Sequence, residues 1–266
     1  MSQVSTPATH VLPVMPSRHV LGMRVDSPRG YDEAVDLIAG WAEQRVARTI
    51  GVATVNNVME SHDDPAFLDV MNGCDLVTPD GMPLVWSSSI LGVSSATRVC
   101  GPQLTPLLLE RAAERGIAVG FYGGDPATIE ALGTVAATRW PALEVAYSYS
   151  PPFRPLTADE DAAVVDAIVD AGVSLLFVGL GCPKQERWMA EHRDRLPLVT
   201  IGVGAAFDFL AGSKRQAPRL LQRTGLEWAF RLVSEPRRLW RRYLRQNPRF
   251  VALFARQLVR ERLRRT

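Results

Sequence analysis

Cysteine is scarce in this 266-residue chain: Cys74, Cys100 and Cys182 are scattered and free of any C-x-x-C spacing. That argues against a disulfide framework or a structural zinc site and fits a reducing, cytoplasmic compartment. Histidine is equally thin, with His10, His19, His62 and His192 dispersed, so no metal cluster is expected from them. No apolar run reaches the ~18 residues of a spanning helix, because Gly, Pro or Asp breaks the longest stretches. The N-terminus lacks a basic segment leading into an apolar run, and no secretory signal is expected. A chain with these absences that meets a membrane lies on its surface. Lysine is the last shortage, with only Lys184 and Lys214 among 30 basic residues. Guanidinium suits bidentate phosphate contacts, although genomic base composition produces the same bias.

What the chain does have is an uneven charge. Residues 213–266 carry 16 Lys/Arg against 3 Asp/Glu, whereas residues 1–212 carry 14 against 25. The overall net charge of +2 hides an acidic body with a strongly basic end. Such asymmetry points to an anionic partner: nucleic acid, a phosphorylated ligand or a charged membrane surface. A hydrophobic content of 47% and a charged content of 22% are those of a globular protein, and the length suits one α/β domain with an appendage.

Strand-like and helix-like patterns alternate along the body. Residues 20–25 read as a strand, and residues 31–48 as a helix with Val35, Ile38, Trp41 and Ala42 on one face. A strand over 50–55 leads into a helix over 59–71, and a strand over 119–122 breaks at Gly123-Gly124-Asp125-Pro126 into a helix reaching Trp140. A strand over 143–147 and a Pro-rich loop over 150–155 precede Thr157-Ala158-Asp159-Glu160, a capping box for a helix ending near Gly172. Residues 175–179 and 198–203 are short apolar runs, the second rich in β-branched residues, typical of buried parallel strands. The alternation predicts a doubly wound α/β sheet, with ligands beyond the carboxyl ends of its strands. Three short helices are expected beyond Ser213, over 220–233, 236–246 and 248–265. In the last, Phe250, Phe254 and Leu258 share one face and Arg256, Arg260 and Arg264 another, which suits either a lipid surface or packing on the domain.

Four strand-to-loop segments carry chemistry. Thr54-Val55-Asn56-Asn57 offers hydroxyl and amide groups to a nucleotide or sugar, or simply caps a helix. Thr78-Pro79-Asp80-Gly81 is a turn signature that also holds a carboxylate at a strand end, available as a general base. Gly179-Leu180-Gly181-Cys182-Pro183-Lys184-Gln185-Glu186 lets backbone N–H groups approach a diphosphate, but lacks a full P-loop or dinucleotide fingerprint. Gly202-Val203-Gly204-Ala205-Ala206-Phe207-Asp208 repeats that logic and sets Asp208 for a ribose contact or for a helix dipole.

In this order, and followed by Gly225-Leu226-Glu227-Trp228, Arg231 and Glu235-Pro236-Arg237-Arg238, these segments closely resemble the WecG/TagA/CpsF glycosyltransferases, glycosyltransferase family 26. The resemblance runs from about Val20 to Phe250. It implies an inverting, metal-independent transferase that needs no cofactor. Such an enzyme moves a sugar, typically N-acetylmannosamine or its uronic acid, from a UDP donor to an undecaprenyl-diphosphate-linked acceptor for a cell-surface polysaccharide. Residues 1–18, with three prolines and small polar residues, are expected to form a flexible tail, and the resemblance implies a Rossmann-like catalytic domain over 19–212 and an Arg-rich helical, membrane-associating appendage over 213–266. By the same resemblance Asp80 is the catalytic base, with Thr54, Gln185 and Arg98 beside it. Thr54, Asn56 and Gln185 then face the UDP-sugar, to which the glycine-loop reading adds Gly179, Gly181, Gly202 and Asp208, and Arg231, Arg238 and Arg241 face the lipid diphosphate by the resemblance. The enzyme is then cytoplasmic and peripheral on the inner face of the cell membrane, and the resemblance admits a homo-oligomer.

Departures from the family pattern at Pro102-Gln103 and at residues 149–155 keep other donors such as UDP-glucose open. Rival readings are a nucleic-acid-binding protein using the basic end, which leaves the glycine loops without a role, and an epimerase or dehydrogenase. Asp159-Glu160-Asp161 fits the D-x-D string of manganese-dependent transferases, but it stands in a capped first helical turn where acidic residues are expected anyway. No metal and no nucleic acid are expected.

Overall fold

The computed structural model describes residues 15–264, apart from the side chains of Arg219, Arg223 and Arg238. Of the expected N-terminal tail, residues 1–14 lie outside the described residues. Ser17 and Arg18 already belong to β1 (Ser17–Val20), which pairs antiparallel with β2 (Met23–Asp26). The single strand expected over 20–25 is therefore a hairpin, turned at Leu21-Gly22, where both residues have positive φ.

The body is a six-stranded, wholly parallel sheet. Its strands are β3 (Arg48–Ala53), β4 (Leu76–Pro79), β5 (Val119–Gly123), β6 (Val145–Tyr149), β7 (Leu175–Gly179) and β8 (Val199–Gly202), in the order β4-β3-β8-β7-β5-β6. Buried residues alternate along each strand between its two faces, as a sheet covered on both sides requires. Ile50, Val52, Phe121, Leu175, Phe177, Val199 and Ile201 enter one core, shared with α1 (Tyr31–Glu43), α5 (Gly101–Arg115) and α9 (Ala206–Leu210). Tyr122, Leu176 and Val178 enter the opposite core with α7 (Ala158–Asp170) and α8 (Lys184–His192). Ala53 and Val77 meet the hairpin and the pair α2 (Val55–Asp63) and α3 (Pro65–Asn72) in a third cluster. The helix expected over 59–71 is thus two, separated at Asp64-Pro65: the proline has no N–H to continue α2, and Asp64 caps α3 by accepting from the Ala66 N–H. Two further helices, α4 (Met82–Ile90) and α5, follow β4, and α6 (Pro126–Arg139) follows β5. The architecture is Rossmann-like α/β, as the alternation predicts.

The basic end forms α10 (Arg219–Arg223), α11 (Glu227–Ser234) and α12 (Pro236–Leu263). The first expected helix is split at Gly225, whose φ is +74° and whose Cα lies so close to Trp86 that an added Cβ would stand 2.6 Å from the indole. The last two expected helices are one. Pro248 costs a helix interior about 3 kcal/mol, yet Leu239 before it and Phe250 and Phe254 after it are all buried. Burial of such side chains, each worth roughly 1.5–3 kcal/mol, offsets the break and holds both halves on one line. Gln257 adds a staple, accepting from the Leu21 N–H and donating to the His19 carbonyl oxygen. The face carrying Phe250, Phe254 and Leu258 therefore packs on the hairpin and α2–α3 cluster, and is not available to lipid.

Candidate active site

The carboxyl ends of β3 and β4 open into a cavity of about 120 Å³ roofed by α11 and α12. Its floor follows from local rules. β3 ends at Ala53, and Thr54 turns the chain into α2 as N-cap, its N–H and Oγ1 both donating to Asn57 Oδ1 at 3.0 and 2.9 Å. Capping thus falls to Thr54 and Asn57, and the next residue in the first turn, Asn56, is left on the cavity wall, its Nδ2 3.3 Å from Cys182 Sγ. Beside it the Asp80 N–H donates to the Ala53 carbonyl oxygen at 2.8 Å. This presents Asp80 where β4 gives way to α4, with its side chain 20% exposed to the cavity.

Arg98 closes the floor. Its Nε donates to the backbone oxygen of Asp80, and its Nη2 stands 3.3 Å from Asp80 Oδ1 and 2.5 Å from Glu227 Oε2 of α11. Burial acts to lower the guanidinium's pKa; Asp80, Cys100 and Glu227 outweigh it and hold Arg98 charged. Burial pushes Asp80 above the usual carboxylate range, with Arg98 and Arg231 opposing and Glu227 assisting the rise. From the roof, Arg231 of α11 and Arg242 of α12 reach the same cavity with Trp228 and Tyr243, and each arginine has a buried Nε that none of the described residues accepts from. One carboxylate with raised basicity, facing three guanidiniums in a small cavity, can take a proton from a hydroxyl while the arginines hold an anion. A wider groove of about 1050 Å³ adjoins it, sharing Met82, Arg98, Gln222 and Glu227, with Gln103, Arg139 and Gln216 on its far walls.

Of the residues singled out from sequence, Thr54, Asn56, Asp80, Arg98 and Arg231 line this one cavity. Gln185 does not reach its wall. It is buried beneath the loop after β7, where its Oε1 accepts from the Gly181 N–H and its Nε2 donates to Glu186 Oε1, each at 3.0 Å. Glu186 also accepts from Asn57 Nδ2 at 3.0 Å, so the first and third loops hang from one buried carboxyl group. Gly179 and Gly202 are demanded by this internal packing. An added Cβ would meet the Phe207 ring at 2.4 Å in the first case and Gln185 Nε2 at 2.8 Å in the second. Gly181 has open space around it. Asp208 is paired with Lys214 at 2.6 Å, which also approaches Glu235 at 3.5 Å.

Arg241 is exposed, its guanidinium over the Trp240 ring, and its neighbour Arg242 occupies the cavity instead. The Arg238 side chain lies outside the described residues. Arg242 and Tyr243 escaped the sequence reading because the face on which each falls depends on the tertiary line of α12, and Gln222 because nothing in the pattern of α10 marks it. Glu227 and Trp228 were visible within the Gly225-Leu226-Glu227-Trp228 segment, but without an assigned contact. In the Asp159-Glu160-Asp161 string, Glu160 accepts from Thr157 and Arg154, and Asp161 is held by His192 and Arg195. Among the described residues no three His, Cys, Asp or Glu are grouped to hold a metal.

Residues 18–264 match the model of the family described as "Glycosyl transferase WecG/TagA/CpsF family". An N-acetylglucosaminyldiphosphoundecaprenol N-acetyl-beta-D-mannosaminyltransferase of Bacillus spizizenii is 31% identical over 193 residues, 72% of each chain. The protein of the same name from Bacillus subtilis is 26% identical over 205 residues, 77% of this chain and 78% of its own. The match spans both the sheet that presents Asp80 and the helices that roof it, and the chain belongs to the WecG/TagA/CpsF family of glycosyltransferases.

Proposed function

We propose that this glycosyltransferase moves N-acetylmannosamine, with inversion, from a UDP donor to N-acetylglucosaminyl-diphospho-undecaprenol. The names of the two Bacillus relatives support the sugar and the acceptor. The observation that carries the mechanism is Asp80 beside Arg98 and beneath Arg231 and Arg242. Asp80, kept basic by burial, takes the proton of the acceptor hydroxyl as its oxygen attacks the anomeric carbon. The bond from that carbon to the β-phosphate oxygen breaks, and its electron pair leaves with UDP. Guanidiniums stabilise the charge that develops there and the charge of the lipid diphosphate.

A lipid-borne acceptor calls for a membrane-bound enzyme, and among the described residues no helix is long and apolar enough to cross a bilayer. We place the enzyme on the inner membrane surface through the exposed side of α12. Trp240, Leu244, Val251 and Val259 are exposed there, alongside the exposed Arg241, Arg245, Arg256 and Arg260. Each arginine near an anionic surface contributes ~1 kcal/mol.

The test is UDP release from UDP-N-acetylmannosamine with a short-chain lipid-diphosphate N-acetylglucosamine acceptor, in EDTA, for wild type and Asp80→Asn. Acceptor-dependent release that vanishes in the variant while UDP still binds is the expected result. Undiminished turnover by Asp80→Asn would remove Asp80 from the mechanism. Release with UDP-glucose but not with UDP-N-acetylmannosamine would reassign the donor.

A further inference from the structure

Glu227 is the second carboxylate of the cavity, and the transfer chemistry above makes no use of it. It stands in the first turn of α11 with its side chain 23% exposed, and its Oε2 accepts the 2.5 Å bond from Arg98 Nη2. The same nitrogen is 3.3 Å from Asp80 Oδ1. One guanidinium is thus shared between a carboxylate at a strand end and a carboxylate on the roof, and the shorter contact goes to the roof. Arg98 and Glu227 also line both the cavity and the wider groove, so this ion pair lies where the appendage meets the body beside Asp80.

A guanidinium that closes fully on a carboxylate stabilises its ionised form and makes it a poorer base. An arginine already engaged by a second carboxylate on its far side does this less. We propose that Glu227 is a positioning residue of the transfer reaction: it holds Arg98 from the appendage side, keeps that guanidinium from collapsing onto Asp80, and so makes the base competent only when α11 is docked. This rests on Asp80 being the base. The groups that share the field are Asp80 at the end of β4, Arg98 before α5 with Cys100 and Tyr31 of α1 near it, Arg231 on α11, and Arg242 and Tyr243 on α12. Loss of the Glu227 charge removes one of the influences that raise Asp80 and releases Arg98 to pair with it; both effects act in the same direction.

The experiment is the pH profile of kcat/KM for acceptor-dependent UDP release by the full-length wild type, Glu227→Gln and Glu227→Asp, with thermal melts in parallel. The acidic limb reports protonation of the base in the free enzyme. In Glu227→Gln it moves to lower pH, and the plateau falls by less than the ~10²-fold that loss of a general base costs. In Glu227→Asp, which keeps the charge, the limb stays near its wild-type position. Glu227→Met removes the same charge with an apolar chain of similar length, gives the same displacement, and serves should the amide disturb folding. A Glu227→Gln profile with an unmoved limb and a lowered Tm would assign Glu227 to holding the helix alone and overturn the proposal. So would a limb displaced upward. Turnover that survives in Asp80→Asn would fail the underlying reading itself, a result separate from any Glu227 profile.

Discussion

Replacing Glu186 tests the buried link between the two loops. The residue is 0% exposed, and its Oε1 accepts from both Asn57 Nδ2 and Gln185 Nε2. Burial pushes its pKa up, against hydrogen bonds from its own backbone N–H, Gln185 and Asn57, so the folded protein holds the proton at pH values where the unfolded chain has released it. The contribution to stability is full below the ordinary glutamate value of ~4.3 and is lost as pH rises towards the folded value. Glu186→Gln keeps an oxygen for both donors and puts an N–H where the neutral acid carries its O–H, and it does not titrate. In urea denaturation from about pH 4 to about pH 8, wild type therefore loses stability relative to Glu186→Gln. Glu186→Ala strands two buried donors at about 1–3 kcal/mol each, hence roughly 2–6 kcal/mol. That corresponds to ~4 °C or more in Tm for a chain of this size. Parallel stability curves for wild type and Glu186→Gln across the window, or an alanine variant as stable as the glutamine one, would refute the neutral, doubly bonded carboxyl.

Three further outcomes follow from the site. Arg242→Ala removes a charge-assisted contact worth about 1.5–3 kcal/mol and raises KM for the lipid-diphosphate acceptor about ten- to hundredfold. Arg241→Ala, on the outer side of the helix, changes it far less; steady-state kinetics with both variants separate them. The acidic limb of the wild-type kcat/KM profile lies above the ordinary aspartate value of ~3.9, because burial of Asp80 outweighs Arg98; a limb at or below that value would contradict the assignment. Phe254→Ala costs about 3–5 kcal/mol, read in thermal melts, and makes α12 more sensitive to limited proteolysis than the sheet.

The sheet was legible because its central strands are short apolar runs with both faces covered, which leaves Leu175–Gly179 and Val199–Gly202 little choice. The hairpin was not, since Leu21-Gly22 interrupts an otherwise continuous strand pattern with no proline or polar cluster to mark it. In the site, Thr54, Asn56 and Asp80 were legible as strand-end residues, whose position follows from the topology, whereas Arg98, in the loop between α4 and α5, was legible only through the family resemblance. Gln185 was legible as part of a motif but not as a buried girder. Its side chain is consumed by Gly181 and Glu186, contacts between neighbours in sequence that become a link to Asn57 only in three dimensions. Arg242 was hidden by Pro248, which reads as a helix boundary and is none. Once α12 is continuous, Phe250 and Phe254 fix its rotation, and that rotation puts Arg242 in the cavity and Arg241 outside.

The same anchoring gives the charge asymmetry a structural meaning. A basic segment tethered loosely to an acidic body would bind anions anywhere along its length. Here its helices are held on the body at fixed points: Phe250 and Phe254 in the core, Gln257 on the hairpin, Arg249 on Asp63 at 2.7 Å, Lys214 on Asp208, and Glu227 on Arg98. Two of those points, Lys214 on Asp208 and Glu227 on Arg98, are ion pairs between the appendage and loops of the body. The remaining arginines then divide by geometry. Arg231 and Arg242 are turned into a cavity too small for a duplex, and Arg241, Arg245, Arg256 and Arg260 are left outward beside exposed apolar side chains. A nucleic-acid surface would call for base-stacking aromatics within a continuous basic stripe. An apolar stripe with a basic flank suits an interface between water and lipid, which favours the membrane placement proposed for the outer side of α12 over a nucleic-acid surface.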